Sequence, residues 1–471
     1  MSQVHTSRPR SDVGALFDLA LIRKYDKAGP RYTSYPTAPM FHTGIGAADY
    51  ADSLARVGKA DAPLSLYLHV PFCDTVCYYC GCSKIATKQR QRAVPYVEYL
   101  LKEIDLLADT LGGARPVTQL HWGGGTPTFL NEEQIRAVMG RLHERFNFVP
   151  DAEGEYGIEI DPRECNADTV RVLREVGFNR MSMGVQDFEP AVQKAVNRIQ
   201  SKEETLAVLE QARSHGFQSI NIDLMYGLPF QTVESFDRTL DTIIDFSPDR
   251  IALFNYAHLP HMFMPQRRID EGDLPTPAEK LNILEHSIDK LLAVGYVFIG
   301  MDHFAKPDDE LAIAQRQGKL YRNFQGYSTH ADAELVGLGI TSIGYVDGTF
   351  YQNVKDLESY YAALDADEFP VFRGYKLSDE DHLRRHVIMR LMCDFALDYA
   401  AVEKRFAIDF REHFADGLAD LEAMAEDGLV EMRSDGLSVL PAGRLLIRNI
   451  AMVFDEHLRK RAEEMKFSKV I

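Results

Sequence analysis

The chain has 471 residues, with 52 Lys and Arg against 70 Asp and Glu, a formal net charge of −18. Its 45% hydrophobic and 26% charged residues exclude disordered and collagen-like classes. No apolar run reaches the ~18 residues of a membrane span, no apolar leader opens the N-terminus, and the acidic balance argues against nonspecific nucleic-acid binding, which needs a basic footprint.

In chain order, residues 1–48 read as an N-terminal arm: GPRYTSYPTAP (29–39) is rich in Pro, Gly and hydroxyl side chains and has little apolar periodicity. Residues 49–378 read as a catalytic barrel. Here short β-rich runs alternate with amphipathic ones: SLYLHVPF (65–72), TQLHWGGG (118–125), EYGIEIDP (155–162), RMSMGVQD (180–187), SINIDLMYGL (219–228), RIALFNYAH (250–258) and YVFIGMDHF (296–304). Between them, VPYVEYLLKEIDLLADTL and TVESFDRTLDTIIDF carry apolar residues at three- and four-residue steps. Asn131 and Asn166 stand where helix N-caps belong. Strands alternating with helices give a parallel sheet with right-handed crossovers. Six or seven units suit an α/β fold of TIM type, complete or partial; a doubly wound open sheet is the alternative. Residues 379–471 turn mainly helical, and two short strands around Ser434-Asp435-Gly436 followed by a helix have a winged-helix-like layout.

The strands separate their faces. Ile158 and Ile160, Met181 and Met183, and Ile220 and Ile222 share the apolar sides and must meet the outer helices. Glu159, Gln186 and Asp223 lie on the opposite sides, near the strands' C-terminal ends. A polar interior of that kind reads as a binding cavity, because an ordinary barrel interior is filled with branched apolar residues.

Four of the six cysteines, Cys73, Cys77, Cys80 and Cys82, fall within ten residues, directly after the first strand. Such clustering reads as a metal or redox site and not as a disulfide framework. Cys73-x3-Cys77-x2-Cys80 can bind three irons of a [4Fe–4S] cube and leave the fourth open. Zinc would want two C-x2-C-like pairs separated by a longer insert. Cys82 is cramped as a fourth ligand. GGGTPT (123–128) follows the second strand, and Gly124 and Gly125 would let the backbone approach a ligand closely. Other features are weaker. His258-x2-His261 is interrupted by Pro260, and His69 and His121 read as hydrogen-bonded core histidines. GLGITSIG (337–344) reads as a tight turn, and Cys165 and Cys393 as small core residues.

Cys-x3-Cys-x-aromatic-Cys, with Tyr79 as the aromatic, resembles the radical S-adenosyl-L-methionine (SAM) superfamily. YLHVPFC, CYYCGC, QLHWGGGTPT, IEIDPRE, FNRMSMGVQDF, NIDLMYGLP, FNYAHLP, GMDHFA and NFQGYSTH together resemble the oxygen-independent coproporphyrinogen III oxidases. That similarity runs from GPRYTSYPT through RLLIRNI to FSKVI. It implies a partial (β/α)6 barrel with an N-terminal arm and a helical C-terminal domain. It also implies decarboxylation of the ring A and B propionates of coproporphyrinogen III to vinyl groups in heme biosynthesis, through a 5′-deoxyadenosyl radical. The metal ligands it implies are Cys73, Cys77 and Cys80, holding a [4Fe–4S] cluster. One SAM would contact Tyr67, Tyr79, Gly124, Glu159 and Ile343. A second would lie near Gly125, Thr126, Gln186, Arg198, Asp223 and Ala257. Glu159, Tyr67 and Cys82 form the implied catalytic set, with Cys82 near the cluster but not a ligand.

The implied partners are coproporphyrinogen III, an electron donor such as flavodoxin or ferredoxin, and an unidentified electron acceptor, for a cytoplasmic monomer. A tetracarboxylate substrate calls for Arg and Lys in its site; the candidates are Arg31, Arg267 and Arg268. Two other readings within the superfamily are a heme chaperone and a methyltransferase. The chaperones typically lack both a residue of the Cys82 type and the GPRYTSYPT arm.

Overall fold

The computed structural model describes residues 16–460 apart from positions 26, 28, 61, 114 and 332. The first fifteen residues of the expected arm and the FSKVI ending lie outside the described residues. Six parallel strands form the frame: β1 (Leu64–Val70), β2 (Pro116–Gly124), β3 (Glu155–Ile160), β4 (Arg180–Gln186), β5 (Ser219–Tyr226) and β6 (Arg250–Asn255). Each pairs with its neighbour in chain order. A doubly wound sheet reverses its strand order at a switch point. This order never reverses, so the crossovers put every helix on one face and the sheet curls about the other.

The crossover helices are α1 (Ala93–Leu111), α2 (Glu132–Arg145), α3 (Ala167–Glu175), α4 (Lys202–Ser214), α5 (Val233–Phe246) and α6 (Pro277–Ala293). Asn131 caps α2 by accepting the Gln134 N–H (2.9 Å), and Asn166 caps α3 by accepting the Thr169 N–H (2.9 Å). Met181, Met183, Val185, Ile220, Ile222 and Leu224 are buried toward this helical layer, as the strand alternation requires.

The sheet extends beyond the six strands at both edges. The run 296–304, read from sequence as one strand, is a hairpin: β7 (Val297–Gly300) turns through Met301 (φ 53°) into β8 (His303–Ala305), which pairs antiparallel with β6. On the other side β1 is not an edge. β9 (Glu334–Leu338) pairs with it in parallel, and β10 (Ile343–Val346), β11 (Thr349–Asn353) and β12 (Val371–Lys376) continue antiparallel. The turn expected over 337–344 is therefore shorter, because Gly337 and Leu338 still belong to β9.

The described part of the arm lies against the C-terminal region. Asn449 donates to the Tyr25 carbonyl (2.7 Å), Arg448 Nε to the Pro30 carbonyl (2.8 Å), and the Tyr32 hydroxyl to Asp455 (2.8 Å). Beyond α7 (Asp379–Asp394), the strands Ala396–Asp398, Gly436–Val439 and Val430–Met432 form a small antiparallel sheet beside α8 (Ala415–Glu426). Among the described residues no helix is long and apolar enough to cross a membrane.

Candidate active site

β1 runs straight into the cysteine loop, so the sheet fixes where the thiols begin. Neighbouring loops hold the rest. The Tyr78 N–H donates to the Val196 carbonyl (2.9 Å), Asn197 Nδ2 to the Val76 carbonyl (2.8 Å), and Gln266 Nε2 to the Tyr79 carbonyl (2.9 Å). Cys73 and Cys77 are buried, Cys80 is half-buried and Cys82 is exposed. All four line one cavity at the C-terminal ends of the strands. Tyr79, Gly124, Gly125 and Thr126 line the same cavity, as do Glu159, Gln186, Arg198 and Asp223. The polar strand face read from sequence therefore meets the cysteine loop. Tyr67, Ala257 and Ile343 do not line it. Tyr67 lies just beneath, Ala257 follows β6, and Ile343 opens β10 beside Gly337, the partner of Tyr67 in the β1–β9 ladder.

The cysteine sulfurs sit in a cationic setting. Arg198 Nη1 donates to Cys77 Sγ (3.4 Å) and pairs with Asp161 (2.9 Å). Arg163 Nη2 reaches the same sulfur (3.6 Å) while forking onto Asp161 through Nε (2.9 Å) and Nη2 (2.6 Å). Burial works against the Asp161 carboxylate, but the two arginines outweigh it and hold its pKa below the ordinary value. Two guanidinium groups and one carboxylate leave net positive charge against Cys77. The Cys82 N–H donates to Cys80 Sγ (3.4 Å). The Cys82 thiol, opposed by burial and joined by Lys84, holds the Cys80 thiol down to about 5. Burial pushes Cys73 up to about 12. Sequence reasoning gave Asp161 and Arg163 no role at the site; the signal available was a second cation and an anion closely following Glu159.

A second network lies under Glu159. His69 Nε2 donates to the Ser83 carbonyl (3.1 Å), which leaves Nδ1 to accept the Tyr67 hydroxyl (3.1 Å); burial keeps this ring neutral. The Tyr67 ring stacks on His121 (centroids 6.1 Å apart, planes 13° apart), and His121 Nε2 donates to Glu159 (3.0 Å). Desolvation in the cavity opposes ionisation of the half-exposed Glu159, yet the His121 hydrogen bond prevails and its pKa is lowered. His69 and His121 are thus hydrogen-bonded, as read; His69 is buried, while His121 lines the cavity in the barrel interior.

Two backbone details place the remaining groups. A Cβ on Gly125 would lie 2.5 Å from the Phe72 carbonyl oxygen. The glycine run thus lets β2 close onto the cysteine loop, through Gly125 N–H to Val70 O (2.8 Å) and Thr126 N–H to Phe72 O (2.8 Å). The close approach is chain to chain, where the sequence pointed to chain and ligand. Gln186 has φ 73° at a register shift between β4 and β5. Such a bulge re-aims a side chain next to a site. Asp223 accepts Asn221 Nδ2 (2.7 Å) and the Ser182 hydroxyl (3.3 Å); burial, with Glu159 nearby, raises its pKa to about 7.

Among the described residues no three His, Cys, Asp or Glu side chains converge on a single ion position. A cube makes a different demand, one iron per thiolate. Three thiols around one cavity, with Thr126 (3.8 Å), Arg163 and Arg198 directed at their sulfurs, fit an anionic iron–sulfur cluster.

The chain matches the Radical SAM superfamily over residues 67–243 and the HemN C-terminal domain over 377–446. It is 50% identical over 455 residues to the oxygen-independent coproporphyrinogen III oxidase of Pseudomonas aeruginosa, covering 97% of this chain and 99% of that protein. The chain belongs to the oxygen-independent coproporphyrinogen III oxidase family. The Escherichia coli member is also 50% identical, over 97% of this chain and 98% of its own. A solved structure of the E. coli coproporphyrinogen III oxidase, described as a radical SAM enzyme, superposes with a TM-score of 0.90 at 48% identity. It covers 94% of this chain and 100% of that one. Family membership thus supports the fold and the kind of cofactor that the cysteine loop and cavity had already indicated.

Proposed function

We propose that the chain decarboxylates the ring A and B propionates of coproporphyrinogen III to vinyl groups, giving protoporphyrinogen IX, in heme biosynthesis. The observation that carries this reading is the junction of two cavities. Glu159, Ser182 and Asp223 line both the cysteine cavity and a larger one that descends through the barrel interior. A cofactor above that junction and a substrate below it would meet there.

Cys73, Cys77 and Cys80 would hold the cluster. When bound, the cluster and SAM would supply one-electron chemistry, abstraction of a hydrogen atom from the β-carbon of a propionate. The chain's own task is positioning and exclusion. Arg163 and Arg198 offset the charge of the thiolates. Glu159, ionised and fixed by His121, would present a carboxylate to bound SAM. Asp223, Gln186 and Arg198 line the same cavity as Glu159 and would contact a second SAM molecule there. Tyr67 and Cys82 flank Glu159 and complete the catalytic set.

The remaining assignments belong to the same proposal: an arm (1–48), a barrel (49–378) and a C-terminal domain (379–471), a cytoplasmic monomer, and a flavodoxin- or ferredoxin-like donor. Turnover with SAM labelled in its methyl group tests the reaction class. The label is expected in methionine alone; label in the porphyrin would make the chain a methyltransferase. Equilibrium binding of SAM to the reconstituted holoenzyme is expected to give two per chain, falling to one in Asp223→Asn.

A further inference from the structure

The proposed substrate carries four carboxylates into a protein of charge −18, so the position of uncommitted positive charge matters. Most arginines around the barrel are already engaged. Arg163 and Arg198 hold Asp161, while Arg180 and Arg250 hold Glu310. Arg31 pairs with Asp302 (3.1 Å), Arg267 donates to the Pro260 carbonyl (3.0 Å), and Arg268 lies over the Tyr78 ring. The three candidates from sequence thus all have partners.

Arg322 differs. It sits on a hairpin formed by Tyr321–Asn323 and Gly326–Ser328, and is 4% exposed. Its Nε and Nη1 have no hydrogen-bond partner. Its guanidinium lies over the Tyr327 ring (4.8 Å), which fixes its plane. Arg385, from α7, lies over Tyr345 (4.3 Å), and its Nε is likewise unpartnered. Both arginines line one cavity with Thr33 and Ser34 of the arm, Ser65 at the start of β1, and His330. No Asp or Glu is among the described lining residues. The nearby Glu334 carboxylate is taken by the Asp347 N–H (3.0 Å).

Buried guanidinium donors without acceptors are costly, and a flat fork of N–H groups matches a carboxylate. The cavity also adjoins the barrel interior. Ser65 donates to Gln119 (2.7 Å), and Gln119 and Tyr327 line the interior cavity that reaches Glu159 and Asp223. We propose that Arg322 and Arg385 form a carboxylate subsite that anchors a substrate propionate away from the reacting β-carbon. This rests on the functional reading above.

The test is anaerobic kinetics on reconstituted holoenzyme. Arg322→Gln is expected to raise the KM for coproporphyrinogen III roughly tenfold or more, the scale of losing a charged hydrogen-bond pair, with cluster absorbance retained. Arg385→Gln, on a different element, is expected to act in the same direction and covers the case in which Arg322→Gln fails to fold. Arg322→Lys should recover part of the loss. Folded variants with unchanged KM would overturn the proposal. So would inorganic phosphate binding that depends on Arg322 while the substrate KM does not, since the site would then serve a free anion. If the wild type turns over no coproporphyrinogen III, the functional reading fails, and the subsite is still tested by absorbance titration with coproporphyrin III. Arg322→Gln is expected to weaken that binding, and equal binding overturns the subsite.

Discussion

At Cys77 two guanidinium groups, both paired with Asp161, meet a single sulfur, while Cys82 touches Cys80 from the solvent side of the loop. The roles of these cysteines should therefore separate. Cys73→Ser is expected to abolish the cluster and Cys82→Ser to leave it assembled, read by iron content and visible absorbance. Loss of the cluster in Cys82→Ser would show that the ligand set is wrong. Asp223 gives a pH-dependent expectation. With its pKa raised to about 7 by burial and by Glu159, it is neutral in mild acid and charged above. A cationic ligand prefers the charged form, so binding of a second SAM beside Asp223 should tighten as pH rises from 6 to 8. Asp223→Asn should remove that slope in titration calorimetry. The cysteines, Glu159, Gln186 and Asp223 were legible because spacing and strand alternation place them. The roles of Asp161 and Arg163 were not, because they come from Arg198, which arrives from a different loop.

Among the elements, the end of β2 has little room to change. A methyl on Gly125 would strike the Phe72 carbonyl, a backbone atom that cannot swing aside. Gly125→Ala is expected to cost about 1–3 kcal/mol, seen as a lowered Tm. The N-terminal ends of β4 and β6 are bridged by Glu310, which pairs with Arg180 (2.7 Å) and Arg250 (2.6 Å). Burial opposes the Glu310 charge, but the two arginines dominate and hold its pKa down to about 2. A depressed folded pKa gives stability that is full above the unfolded value and lost as pH falls toward about 2. Glu310→Gln should thus cost about 3 kcal/mol at pH 7, and the gap from wild type should shrink below about pH 4.5, by urea denaturation at each pH. The six barrel strands were legible from hydrophobic alternation. The β7–β8 hairpin was not, since a turn at Met301 carries no Gly-Asn signal. β9 and β11 escaped because short strands buried on both faces show little periodicity, while β10 spans only four residues and β12 has an irregular burial pattern.

For the whole molecule, the charge of −18 anticipates a basic island for an anionic substrate without saying where it lies. Which arginines remain uncommitted is decided by tertiary pairing, and Arg322 stands out only once its neighbours are placed. The central claim is that one cavity, ringed by Cys73, Cys77 and Cys80 and opening at Glu159 and Asp223 into the barrel, carries out the decarboxylation. The most direct measurement is anaerobic turnover of coproporphyrinogen III by the reconstituted protein, with mass analysis of the porphyrin and of the SAM products. The account predicts loss of two carboxyl groups to give protoporphyrinogen IX, together with methionine and 5′-deoxyadenosine. Tight heme binding with no decarboxylation would contradict it.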